Sequence, residues 1–199
     1  HGHFNAFPVQ NGAKVVDPNE QDWSRLLPAI RATPGVEVIT LNHPRDLHSG
    51  FVPLGGFMFN PQTGKHRHAD ALSGLNAIEV ITSAAMQSDI ELLYRDWFAL
   101  LNRGHRIFAV GSSDSHDVNR FVLGQGRTYA MAKDDDPAAV NLGEVWRSYH
   151  EGRLLVSLGL LVTMTVDGRF GIGDTATGLG DMLKGECVIQ SPSWTHADK

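Results

Sequence analysis

Three short segments carry residues able to hold a divalent cation, and each follows a run of apolar residues. Asp114-Ser115-His116 comes after Arg106–Val110 (RIFAV) and the small residues Gly111-Ser112-Ser113. His43 comes after Val36–Leu41 (VEVITL), within Asn42-His43-Pro44, and Glu79 lies near the end of Asn76–Ile81 (NAIEVI). In an extended segment residues i and i+2 point to the same side, so Asp114 and His116 can share one cation. Proline at 44 biases His43 towards extended backbone at the strand end. His1-Gly2-His3 at the start of the chain supplies further imidazoles. Phe4-Asn5-Ala6-Phe7-Pro8 reads as folded sequence, so His3 is favoured as a ligand and His1 is left open.

The chain has ten histidines and a single cysteine, Cys187. That excludes an internal disulfide and a multi-thiolate zinc site, leaving nitrogen and oxygen ligands. The chemistry such ligands support is hydrolysis by a metal-activated water. His66-Arg67-His68 has the spacing of a metal pair but lies in a glycine-rich insertion away from any strand end, and is expected to be a solvated basic loop. His48, His105, His150 and His196 are expected to be structural or exposed. There is no Walker-type phosphate loop, no serine in a G-x-S-x-G context and no dinucleotide fingerprint; Gly124-x-Gly126 is too short a match to count.

A chain of 199 residues, 42% hydrophobic and 20% charged, can bury one core. A formal charge of −5 with no basic run argues against nucleic acid as a partner. No apolar run approaches the roughly 18 residues that span a bilayer. The chain opens without an initiator methionine or a signal peptide, so a preceding segment is expected, and the compartment stays open; the β-rich end and scarcity of cysteine are compatible with a secreted or periplasmic protein.

The elements that must position these residues alternate. Asp17-Pro18 with Trp23, Leu26, Leu27 and Ile30 predicts a helix near 18–32, kinked or shortened by Pro28. Thr33-Pro34-Gly35 breaks the chain before the first strand. A strand at 76–81, a helix at 88–101 capped by Ser88-Asp89 and ended by Asn102-Arg103-Gly104, and a strand at 106–110 follow. A strand at 127–132 and a helix starting at Asp136-Pro137 come next. Beyond Gly152 the sequence reads as β only: 154–157, 161–166 closing on Asp167-Gly168, and 186–190. Two domains are expected, 1–152 and a β-rich appendage over 153–199. Residues 48–75 form an insertion too long for an ordinary connection, either a lid or substrate wall or a plain surface loop.

Alternating strands and helices with short apolar strands predict a parallel sheet covered by helices. In a parallel sheet His43, Glu79 and Asp114-x-His116 then fall at one edge, the edge where α/β barrels assemble catalytic sites.

The ordered set GHFNAFP, LNHPR, AIEV, GSSDSH, GQGRTY and LLVSLGLLVTMTVDG resembles metallohydrolases of the CehA/McbA type within the PHP (polymerase and histidinol phosphatase) superfamily, over essentially the whole chain. The resemblance implies an α/β fold, a partial distorted (β/α)7 barrel followed by an all-β segment. It implies a cluster of two or three divalent ions (Zn, Mn or Fe) in the full-length protein, held here by His3, His43, Asp114 and His116. Glu79 would have a supporting or acid/base role beside Asp114 and His116, and Arg45 and Arg127 match basic positions able to bind a substrate oxyanion. The family's first His-x-His motif has no counterpart, so the chain reads as part of a longer protein, and weak metal binding by these residues alone is expected.

The function expected is metal-dependent hydrolysis of a small phosphoester or of a carboxyl-type ester, amide or carbamate. Two alternatives stay open: a non-catalytic scaffold or carbohydrate- or protein-binding module, and a mononuclear zinc amidohydrolase. Oligomeric state is not legible.

Overall fold

In a computed structural model of the chain, the structure describes residues 2–45, 53–54, 57–82, 90–119, 122–133 and 136–195. The elements are β1 (His3–Phe7), α1 (Trp23–Arg31), β2 (Val38–Asn42), β3 (Phe59–Asn60), β4 (Lys65–His66), a 3₁₀ turn (Ala69–Gly74) and β5 (Ala77–Thr82). They continue with α2 (Ile90–Asn102), β6 (Phe108–Ser112), β7 (Arg127–Ala130), α3 (Leu142–Glu151), β8 (Leu154–Ser157), β9 (Leu161–Val166) and β10 (Gly185–Gln190).

The protein is mixed α/β, built on an open four-stranded sheet of order β1-β2-β5-β6. Strands β2, β5 and β6 are parallel, in keeping with their largely apolar, buried sequences. β1 runs antiparallel to β2, pairing His3 with Asn42 and Phe7 with Val38. The antiparallel edge strand corrects the expectation of a wholly parallel sheet. Its direction brings the first residue of β1, His3, to the edge where β2, β5 and β6 end.

α1 starts five residues later than the sequence suggests. Asp17 closes a local turn, accepting the Asn19 N–H at 2.9 Å, while Asp22 accepts the Ser24 N–H at 2.9 Å and is the N-cap. Trp23, Leu26, Leu27 and Ile30 all face inward. α2 ends as expected, with Gly104 at φ +82 and its N–H bonded to Leu101 O at 2.9 Å; its expected cap, Ser88-Asp89, lies outside the described residues. α3 begins at Asn141, whose side chain accepts the Gly143 and Glu144 N–H groups, while Asp136 is spent on the Ala138 N–H. It closes on Gly152 at φ +75, where a Cβ would stand 2.3 Å from the Phe108 ring.

The insertion over 48–75 does more than cover the surface. Among its described residues Leu54, Phe59, Leu72 and Leu75 join the main core with Trp23, Leu27, Ile39, Leu41, Ile78 and Leu100. His66 is buried as well, which corrects its reading as part of a solvated loop. Its ring stacks on Trp23 at 5.0 Å, its Nε2 meets Pro53 O at 2.8 Å, and its Nδ1 accepts the His68 N–H at 3.0 Å. Burial pushes the His66 imidazole below its ordinary pKa. His66 and His68 are therefore packing groups of the insertion, both stacked on Trp23.

β8 pairs antiparallel with β7, and Leu154 packs with Ala77 and Val110, so strand pairing crosses the expected boundary at 153. β9 and β10 form a separate hairpin. Among the described residues the strands do not close on one another, and no helix is long and apolar enough to cross a membrane.

Candidate metal centre at the sheet edge

The site begins with Glu79. Its side chain is 3% exposed and its carboxylate receives three bonds of 2.7 Å: the His43 amide N–H and the Thr82 hydroxyl donate to Oε2, and the Ser112 hydroxyl donates to Oε1. Residues i and i+3 of a regular strand face opposite ways. Thr82 reaches Glu79 because the register slips between Glu79 and Ile81, a bulge that puts one additional residue into β5. One carboxylate thus ties the ends of β2, β5 and β6 together. Both of its oxygens are occupied, so its geometry is that of a group orienting His43.

At the same residue the backbone turns, with His43 at φ +24 instead of the extended conformation expected ahead of Pro44. The turn aims the ring at β1. His3 Nδ1 and His43 Nε2 are 3.0 Å apart, and the rings meet edge to face with centroids 4.8 Å apart. The sequence places these two histidines forty residues apart; the antiparallel pairing of β1 on β2 brings them into contact.

His3, Asn5, Asn42, His43, Asp17 and Asp114 face one cavity of about 400 Å³ at this edge. Asp114 arrives from the segment after β6 at φ +47, left-handed rather than extended. Its side chain and that of His116 stay close in this conformation, with His116 Nδ1 3.8 Å from Asp114 Oδ1. His116 folds back so that its Nδ1 lies 2.6 Å from the Asp114 carbonyl oxygen, and its side chain is 73% exposed. Since a carbonyl only accepts, Nδ1 donates this bond and Nε2 is the ring nitrogen left for another partner, as in histidines that bind a metal through one nitrogen and a carbonyl through the other. His1 lies outside the described residues.

Asn42 is a residue the sequence reading passed over. Its Oδ1 is buried without a hydrogen-bond donor among the described residues, and the side chain lines the same cavity. An amide oxygen is a weaker signal in a sequence than imidazole, but Asn42 opposes His3 in the ladder and adjoins His43.

The two arginines expected at the site lie elsewhere. Arg45 forks onto Asp96 of α2, with Nη2 at 3.0 Å from Oδ1 and Nε bonded to Oδ2. Asp96 is fully buried; burial raises its carboxyl above the ordinary value, and Arg45 pulls it back down without cancelling that rise. The fork is thus occupied by a protein carboxylate, which accounts for its geometry as a structural ion pair. Arg127 lines a different cavity, formed with Tyr129 and residues near the end of β10.

The donor set at the edge, imidazole nitrogens with a carboxylate and an amide oxygen, is of the mixed N/O kind that Zn²⁺ or Mn²⁺ accepts. Two nitrogens bound to one tetrahedral zinc are about 3.3 Å apart, close to the 3.0 Å between His3 and His43. Among the described residues no group of three or more His, Cys, Asp or Glu side chains converges as a complete ligand set. At 3.0 Å the two nitrogens are also at hydrogen-bond distance, so the two rings as well as Asp114 and His116 have to turn to form a coordination shell.

Set against protein-family models, curated proteins and solved structures, the chain matches none of them.

Proposed function

We propose that the chain is the major part of a metal-dependent hydrolase of the CehA/McbA type in the PHP superfamily, a partial distorted (β/α)7 barrel with a β-rich C-terminal segment. One observation carries the reading: two imidazoles from separate strands touch at 3.0 Å, on a cavity that also receives Asp114. In this reading His3, His43, Asp114 and His116 hold one or more divalent ions, and the Asn42 amide oxygen lies ready beside them. Such an ion supplies a water of lowered pKa and polarises a substrate oxygen, whether of a phosphoester or of a carboxyl-type ester, amide or carbamate. Glu79 acts through His43: by receiving its backbone N–H it fixes the direction of the ring. His116 donates Nδ1–H to the Asp114 carbonyl, which leaves Nε2 as the nitrogen that would meet an ion. The cavity, open at the strand ends, admits a small molecule.

The test pairs metal analysis of the purified protein with hydrolysis of chromogenic phosphoester and carboxyl-ester substrates in Mn²⁺ and Zn²⁺. Asp114→Ala is expected to lower both metal content and turnover at least tenfold; retention of more than about a tenth of either contradicts the assignment. A second reading, a non-catalytic scaffold, is favoured by the absence of a converged three-ligand group among the described residues. It predicts purified protein without stoichiometric metal. One equivalent of zinc would instead support a mononuclear site.

A further inference from the structure

A second cavity, of about 370 Å³, lies between β7, the β8–β9 connection and the segment after β10. Side chains of a strand alternate, and β7 uses both faces: Thr128 exchanges hydrogen bonds with Gly111 of β6 at 2.9 and 2.8 Å, while Arg127 and Tyr129 face this cavity. The opposite wall comes from Gly159, Gln190, Ser191 and Trp194. Arg127 Nε is buried and has no acceptor among the described residues; the same guanidinium reaches the Tyr129 hydroxyl at 3.4 Å. Among the described residues no aspartate or glutamate lines this cavity, so the positive charge of Arg127 meets no carboxylate there. Trp194 adds a flat indole, 83% exposed, beside the charge.

We propose that this cavity is a binding site for a small organic oxyanion, a carboxylate or phosphate group attached to a flat ring. The oxyanion receives the terminal nitrogens of Arg127, the end of the guanidinium that reaches the Tyr129 hydroxyl. The ring lies against Trp194 and Tyr129. The site is separate from the histidine cavity, shares no lining residue with it and needs no metal.

Isothermal titration of the purified chain in the presence of a chelator, at fixed ionic strength, with benzoate, phenyl phosphate and inorganic phosphate tests this. Saturable one-site binding of at least one ring-bearing probe is expected, and which one binds decides between carboxylate and phosphate. Arg127→Gln should weaken that binding by about tenfold or more, the loss of a charge-assisted bond, and Arg127→Lys should weaken it less. Trp194→Ala, at an exposed position that leaves the fold intact, should weaken the ring-bearing probe and leave inorganic phosphate unchanged. Absence of saturable binding by every probe overturns the proposal, as does binding that Arg127→Gln leaves unaltered. If Arg127→Gln fails to fold by circular dichroism, Trp194→Ala decides: unchanged affinity for the ring-bearing probe overturns the proposal.

Discussion

Glu79→Gln isolates the tie on which the histidine edge depends. The native carboxylate receives three donors at 2.7 Å in a place that is 3% exposed. A glutamine of the same shape keeps one oxygen, which still accepts the His43 N–H and the Thr82 hydroxyl, and turns an NH₂ towards Ser112, whose hydroxyl can rotate to accept it. Every contact survives, but three bonds to a charged group become bonds between neutral groups. Bonds to charged groups contribute roughly 1.5–3 kcal/mol and neutral ones roughly 0.5–1.5 kcal/mol, so the loss is about 1 kcal/mol per bond. Part is recovered because a neutral amide is cheaper to bury, leaving a cost of about 1–2 kcal/mol. For a chain of this size that lowers the melting temperature by about 2–8 °C. Glu79→Ala leaves the His43 N–H buried without an acceptor and opens a cavity, costing about 3–5 kcal/mol. The assay is urea unfolding followed by circular dichroism, with the imidazole resonances of His3 and His43 recorded by NMR as a local reading. If Glu79→Gln stays within about 0.5 kcal/mol of wild type and the His3–His43 contact persists in Glu79→Ala, the tie does not orient the ring and the reasoning fails.

Stability should fall as the pH drops below about 6.5, since burial holds His66 below that ordinary value and the unfolded chain then binds a proton that the folded chain refuses. The loss grows until the pH passes the folded value. Urea unfolding between pH 7.5 and 5 should show a shallower slope in His66→Phe; an unaltered slope would remove His66 from the account. Gly152→Ala should destabilise by about 2–6 kcal/mol, combining positive φ with a Cβ driven into the Phe108 ring; thermal melting checks it, and a change under about 1 kcal/mol would contradict the packing described.

The strands β2, β5 and β6 are legible because each is an apolar run ended by small or polar residues, the pattern of a strand buried on both faces. The end of α2 is legible in Asn102-Arg103-Gly104. Less so are its neighbours' starts: Asp17 and Asp136 have the right residue types for caps but close local turns, and Asp22 and Asn141 take the capping role. β1 lacks clean alternation, with Asn5 between aromatic residues, and its antiparallel direction is set by partners elsewhere. The core residues of the insertion, Leu54, Phe59, Leu72 and Leu75, are too widely spaced to show a period.

At the site, the co-location of His43, Glu79 and Asp114 at one edge follows from strand direction alone. The contact of His3 with His43 required knowing that β1 pairs on β2. The left-handed backbone at Asp114 and the bond of His116 Nδ1 to the Asp114 carbonyl were specified by no residue pattern, since aspartate adopts either conformation. For the arginines, charge shows that a guanidinium seeks an oxyanion, while only the fold decides that Arg45 finds Asp96 and that Arg127 faces a second cavity.

The most direct measurement is anomalous X-ray scattering from crystals of the protein grown with Mn²⁺ or Zn²⁺. The account predicts a peak about 2.0–2.3 Å from ring nitrogens of both His3 and His43, with an Asp114 oxygen drawn into the same coordination shell. A map with no peak within coordination distance of that pair, at saturating metal, would contradict it.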